Sequence, residues 1–494
     1  MSAAGSELRR SVAGGVIWTA SSQVARQAIQ VCVTAVLARH LLPDAFGLIG
    51  MASVAMAFAA PLNEMGLSAA LVQKKDLAPS HASAVFCFQV AVAAAAATVL
   101  FLAAPWVALF FRREELVPLL RIMCWNLPMS AAAMAPQALL LKQMRFGTVA
   151  AAETLSLAGA GAVGAAMALA GWGVWSLVGQ SLAGTALMTS VLVASSGLNP
   201  LSRAARPTRA HLKDLMGFSA PLAGYQALNF ASRNLDDILI GRFLGAESLG
   251  YYSMAYRVMM YPLQKVSGVV GRVSFPAYAL MQDDVARIRR GYLKAIQYIA
   301  LITFPMMAGV MVVAPELTQA LFGPGWEPVA PLILVLSLAG MTGSIGTTVG
   351  GLFLAKGRAG LMLRWEIAAS ACYAAAIVAG LSWGLMGVAV GYTATALVLW
   401  PISHIVANRL IDLPMRQFFA ALAPPAGLAA MVAALLVTLR LVWAPEDPAA
   451  RMAFLVACAV AGGLAYATAA VVGRPAAVGD ALKLARETLS GGIR

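Results

Sequence analysis

About fourteen stretches of twenty or more largely apolar residues follow one another along this chain, and that succession constrains the fold more than any single motif. They run at roughly 14–37, 46–72, 82–104, 116–140, 146–170, 173–195, 216–241, 248–275, 292–314, 328–354, 361–381, 384–407, 418–440 and 452–473. A helix needs about 20 apolar residues to cross a bilayer, so the spans and short connections consume the whole chain. No separate aqueous domain has room to form. Only 11% of the 494 residues are charged and 61% are hydrophobic, against about 25% charged in a soluble protein. The segments are continuously apolar instead of alternating, which excludes a transmembrane β-barrel. The expected fold is an all-α integral membrane bundle.

The formal net charge of +14 would point to nucleic acid in a soluble protein, but here the cations are distributed by side. One set of connections holds Lys74 and Lys75, Lys142 and Arg145, Arg203 to Lys213, Arg287 to Lys294, Lys356 and Arg358, and Arg409 and Arg416. The alternate set holds little beyond Arg39, Arg112, Arg113, Arg242, Arg440 and Arg451. By the positive-inside rule both termini are expected in the cytoplasm, as an even helix count also requires. Arg9 and Arg10 precede a first segment too long and too polar for a cleavable signal, so it is expected to stay as a start-transfer helix. The run from Asp480 to Arg486 has the spacing of an interfacial helix.

Shifting the chain against itself by 203 residues lays Leu37 to Leu41 on Ile240 to Leu244, Asp44 on Glu247, Gly47 on Gly250, Met51 on Met254 and Gln23 on Gln226. Agreement through a helix, a connection and the next helix indicates internal duplication. Helices one and seven share an orientation, so the repeat is parallel, with its pseudo-twofold axis along the membrane normal. The expected organisation is two six-helix lobes, residues 1–200 and 201–410, around a central cavity. Residues 411–494 add two helices and a cytoplasmic tail.

Polar residues inside these spans form the candidate site. Gln23, Arg26, Gln27 and Gln30 share a face of helix one, and Gln226, Asn229, Arg233, Asp236 and Asp237 share a face of helix seven. Helix eight adds Tyr256, Arg257, Tyr261 and Lys265, and helix two adds Glu64. A charge at the bilayer centre costs about 2.5–3.5 kcal/mol or more, so these groups should face a hydrated cavity or each other. Arg233 has Asp236 and Asp237 within one turn, and an intrahelical pair competes with a binding role. Arg26 and Arg257 have no such neighbour, and an ion pair across the bundle is the rival reading. Lys265 reads equally as a snorkelling residue. Arg121 and Glu153 are read as outside the mechanism. Tyr225, Tyr256 and Tyr261 offer rings. Asp236, Asp237 and Glu64 are candidates for a coupling ion, H+ or Na+. The run Gly159 to Gly164 reads as close helix packing.

No P-loop, no nucleotide-binding Gly-rich strand-turn-helix and no DxD motif occurs, so ATP-driven export by this chain alone is excluded. Cys32, Cys87, Cys124, Cys372 and Cys458 lie inside apolar stretches without metal-ligand spacing, so no disulfide, metal or cofactor is expected.

Three runs, Leu41 to Gly47, Gly66 to Leu77 and Gly171 to Val178, resemble the Wzx-type polysaccharide flippases. Arg233-Asn234-Leu235-Asp236-Asp237-Ile238-Leu239-Ile240-Gly241-Arg242-Phe243-Leu244-Gly245, followed by Leu249-Gly250-Tyr251-Tyr252 and the stretch Arg272 to Pro276, is similar to the colanic-acid-type exporter branch. That branch belongs to the superfamily that includes MATE exporters and the lipid II flippase MurJ. The resemblance implies a bacterial inner-membrane carrier, not an enzyme, that moves an undecaprenyl-diphosphate-linked oligosaccharide to the periplasmic leaflet by alternating access. Implied partners are that lipid-linked oligosaccharide, membrane lipids, a polysaccharide polymerase and a chain-length regulator, with no nucleic acid. On this reading Arg26, Arg257, Arg233 and Lys265 meet the diphosphate, beside Gln23, Gln30, Gln226, Asn229, Tyr256 and Tyr261. A MATE-like cation antiporter on the same fold would favour a cavity dominated by acids. A membrane glycan polymerase or ligase would need a larger outer loop than any present.

Overall fold

A computed structural model describes residues 23, 26–58, 68, 71, 79–198, 234–281, 284–443 and 447–472. Among these residues every regular element is a helix, and nine helical stretches are long and apolar enough to cross a membrane. The protein is an integral membrane protein. In chain order the helices are α1 (26–40), α2 (Pro43–Ala57), α3 (Pro79–Phe111), α4 (Leu116–Met123), α5 (Asn126–Lys142), α6 (Phe146–Leu169), α7 (Trp175–Ser196) and α8 (Leu235–Phe243). They continue with α9 (Gly245–Leu280), α10 (Val285–Val312), α11 (Ala314–Leu321), α12 (Val329–Ala355), α13 (Ala359–Gly380), α14 (Gly384–Arg409), α15 (Met415–Val442) and α16 (Pro448–Val472). The chain forms two compact units, Met1–Gly250 and Tyr251–Arg494, with the division inside α9.

In the first unit α7 packs against both α5 and α6, α3 covers α5, and α8 rests on α2. The expected span at 116–140 is present as one stretch, Leu116–Lys142, interrupted at Cys124 and Trp125 between α4 and α5. Pro128 is the cause: it has no N–H to give the carbonyl of Cys124, and its ring crowds that carbonyl. Leu127 N–H supplies Cys124 O instead, at 3.0 Å, which tightens the turn. Pro105, Pro136, Pro305 and Pro401 lie inside continuous helices. The glycine run expected to pack does so residue by residue. A Cβ on Gly159 would strike Leu187 of α7, one on Gly161 would strike Val33 of α1, and one on Gly164 would meet Gln180 Cβ at 2.9 Å.

The second unit is built on α10, α12, α14 and α15, whose shared core includes Tyr292, Ile296, Phe304, Leu352, Phe353 and Phe418. The stretch from Arg287 to Lys294, expected as a connection, forms the opening turns of α10. Asp284 caps this helix by accepting the Arg287 N–H at 2.9 Å, a local signal that hydropathy averaged over a span does not register. Helix α13 lies along α14, and α16 joins α15 and α11.

Arg440 of α15 pairs with Glu316 of α11 at 2.8 Å. Glu316 is buried and its second oxygen has no partner among the described residues. Removing the cation leaves a buried carboxylate uncompensated, which costs about 3–5 kcal/mol in a fully buried pair and less here, where Arg440 is half exposed. Arg440→Ala is expected to lower the thermal unfolding midpoint of the purified protein, and adding Glu316→Gln to recover part of the loss. A double variant no more stable than Arg440→Ala would show that the pair does not hold α11 to α15.

Candidate functional site

Helix α1 carries its polar face where α6 approaches closely. The contact of Gly161 with Val33 brings the two helices together, and two turns earlier in each chain direction Arg26 meets Glu153. The Arg26 Nη1 atom donates to Glu153 Oε2, and Nη2 donates to Gln23 Oε1 at 2.5 Å. The Arg26 side chain is 16% exposed and that of Glu153 39%. Glu153, read from the sequence as a bystander, is therefore the counter-ion of Arg26. The hydropathy pattern held no sign of this, because the partners are 127 residues apart. Gln27 is half-buried and Gln30 exposed on the same helix.

Asp236 and Asp237 occupy the first turn of α8, where the helix dipole favours negative charge. Asp236 is buried and Asp237 half-buried. One helix end away, Arg242 lies over the rings of Phe110 and Phe243, at 5.5 and 5.9 Å. A second arginine, Arg113, grips Asp44 at the start of α2 through two contacts of 2.6 Å. Arg121 caps the Phe101 ring at 4.9 Å.

In the second unit Arg257 is exposed on α9 and Tyr256 and Tyr261 are half-buried. Among the described residues the Tyr261 hydroxyl has no hydrogen-bond partner. Lys265 lies in the same helix. Gln226, Asn229, Arg233, Tyr225 and Glu64 fall outside the described residues. The structure thus brings Gln23 and Glu153 together around Arg26 and places Arg257 in the other unit.

An apolar cavity of about 460 Å³ opens between α10, α15 and α16, lined by Leu301, Met306, Val310, Leu436, Leu455 and Tyr466. Aliphatic walls of this kind accept a hydrocarbon chain and offer almost nothing to a polar group. Among the described residues no group of three or more His, Cys, Asp or Glu side chains is arranged to hold a metal, and the five cysteines are free thiols.

The chain is 28% identical over 428 residues to the teichuronic acid biosynthesis protein TuaB of Bacillus subtilis, covering 85% of this chain and 86% of that one. It is 25% identical to the lipopolysaccharide biosynthesis protein WzxC of Escherichia coli, over 83% of this chain and 82% of that one. Its fold matches that of the lipid II flippase MurJ with a TM-score of 0.74 at 13% identity, over 93% of this chain and 99% of that one. A family profile described as "Polysaccharide biosynthesis protein" matches residues 36–331. With more than half of its length matched to that profile, the chain belongs to the polysaccharide biosynthesis protein family.

Proposed function

We propose that this protein is a flippase that carries an undecaprenyl-diphosphate-linked oligosaccharide from the cytoplasmic to the periplasmic leaflet of a bacterial inner membrane, with both termini in the cytoplasm. It is a carrier, not an enzyme. The observation that carries the reading is Arg26, an arginine within a membrane-spanning unit, held by one half-exposed carboxylate and one amide. A guanidinium suits phosphate oxygens because its planar fork donates two parallel hydrogen bonds. A diphosphate can displace Glu153 from it at small net cost, since one anion replaces another.

Arg257, exposed on α9, is the second phosphate donor, with Arg233 and Lys265 as further members. Gln23, Gln30, Gln226 and Asn229 supply amides. The apolar cavity between α10, α15 and α16 suits the polyprenyl tail. Asp236, Asp237 and Glu64 are the carboxylates through which an H+ or Na+ gradient would reset the carrier. In the cell it would hand its cargo to a polysaccharide polymerase and a chain-length regulator.

Deleting the gene is expected to abolish surface polysaccharide and to leave the lipid-linked repeat unit accumulating in the membrane, both restored by the wild-type gene. Unchanged polysaccharide with increased sensitivity to cationic drugs would overturn the proposal in favour of an antiporter.

A further inference from the structure

The second unit contains a cavity of about 280 Å³ between α12, α13 and α14 that the phosphate-binding arginines do not use. Helix α13 packs on α14 and hardly touches α12, and glycines on α12 leave the gap open. A Cβ on Gly346 would meet nothing within 4 Å, so that glycine faces empty space and packs no neighbour. The lining includes Trp365, Glu366, Tyr373, Tyr392 and Trp400.

Three features of this lining would be satisfied by a ligand. Glu366 lies in an apolar span and has no ion pair or hydrogen bond among the described residues. Arg364, two residues earlier, sits on the opposite face of α13 and is exposed. The indole nitrogen of Trp400 is buried without a partner among the described residues. The rings also continue beyond the cavity as a row. Tyr373 and Tyr392 have centroids 5.0 Å apart, Tyr392 and Tyr256 6.1 Å, and Tyr256 and Tyr252 5.8 Å.

Flat aromatic faces beside one carboxylate match the two surfaces of a pyranose. The rings cover the axial C–H face, and the carboxylate accepts a pair of ring hydroxyls. The row is also longer than one ligand ring, as a chain of sugars requires, whereas a compact cation would need only the cage. Nine or so waters' worth of space holds a single sugar unit.

We infer that the cavity at Glu366 and the row Tyr373, Tyr392, Tyr256 form an oligosaccharide subsite, in which Glu366 holds the hydroxyls of one sugar and the tyrosines carry its neighbours. This rests on the flippase reading above and assigns the glycan part of that substrate to the second unit. Glu366 and Tyr373 lie seven residues apart on one face of α13.

The test uses the full-length protein in lipid nanodiscs, with tryptophan fluorescence as readout and two probes. One is the oligosaccharide released by partial acid hydrolysis of the host's own polysaccharide, free of lipid and phosphate. The other is inorganic diphosphate. Gly346→Val, whose Cβ meets nothing within 4 Å, Glu366→Gln and Tyr373→Ala are each expected to weaken oligosaccharide binding about tenfold, the order of one stacked ring or one charge-assisted hydrogen bond. Tyr373→Phe should bind within about twofold of wild type, and diphosphate affinity should be unchanged in all four.

Wild-type oligosaccharide affinity in Gly346→Val and Glu366→Gln would overturn the subsite and leave the flippase reading standing. Binding of tetraphenylphosphonium that these two substitutions abolish, with oligosaccharide affinity intact, would overturn it in favour of an organic-cation cavity. Failure of the wild-type protein to bind the oligosaccharide also overturns it. In that case the diphosphate probe, together with its loss in Arg26→Ala, shows whether the flippase reading falls as well.

Discussion

Arg26→Ala is expected to abolish polysaccharide export while leaving the protein at normal abundance in the membrane. The two halves of this expectation have separate causes. Export fails because the substitution removes the fork that would receive the diphosphate. A single charged hydrogen-bonding group at a desolvated site is worth about 2–5 kcal/mol, which is a factor of about thirty to several thousand in affinity. The fold survives because the carboxylate left behind, Glu153, is 39% exposed and can be hydrated, unlike a fully buried partner. Arg26→Lys keeps the charge and loses the fork, so it should export at an intermediate rate. The double variant Arg26→Glu with Glu153→Arg separates a binding role from a structural one. It restores the ion pair between α1 and α6 with its polarity reversed, so abundance should be normal and export absent. Wild-type export by the swapped variant, read as surface polysaccharide, would reduce Arg26 to a structural partner of Glu153.

The same residue marks the limit of what the sequence could reveal. Its polarity within a span was evident, because a charge in hydrocarbon is costly and stands out against its neighbours. Its partner was not, because side chains 127 residues apart meet only when α1 and α6 come together at Gly161. The helices themselves were legible for a simpler reason: in lipid every backbone group must be satisfied within its own segment, so a long apolar run has almost no alternative to a helix. Boundaries departed where local chemistry acts against average hydropathy. Pro128 splits one apolar run at Cys124, and Asp284 starts α10 among charges that look like a connection. The cavity at Glu366 was hidden for a third reason. It arises from a gap between α12 and α13, and a space that no side chain fills leaves no mark on periodicity.

Gly47→Ala and Gly250→Ala are each expected to destabilise the protein, and together to cost less than the sum of the two. The glycines are equivalent under the shift of 203 residues, and the structure places them at one crossing. A Cβ on Gly47 would run into the carbonyl of Ala246, and a Cβ on Gly250 into the carbonyl of Pro43. Pro43 and Ala246 are themselves related by the same shift, so each glycine receives the first turn of the helix that carries the other. The obstacle is backbone in both cases and cannot rotate away as a side chain would. One methyl must therefore push α2 and the start of α9 apart, at about 1–3 kcal/mol or more of overpacking strain. The crossing also sits one residue from the ends that Asp44 and Arg113 hold at 2.6 Å, so separation should loosen that pair too. Once the first methyl has opened the crossing the second finds room, which is why the effects should couple instead of adding. Gly147→Ala is the control, since a Cβ there meets nothing within 4 Å. Thermal unfolding of the four purified variants measures the cycle. Single substitutions as stable as Gly147→Ala, or a double variant equal to the sum, would mean that the two duplicated glycines do not share one contact.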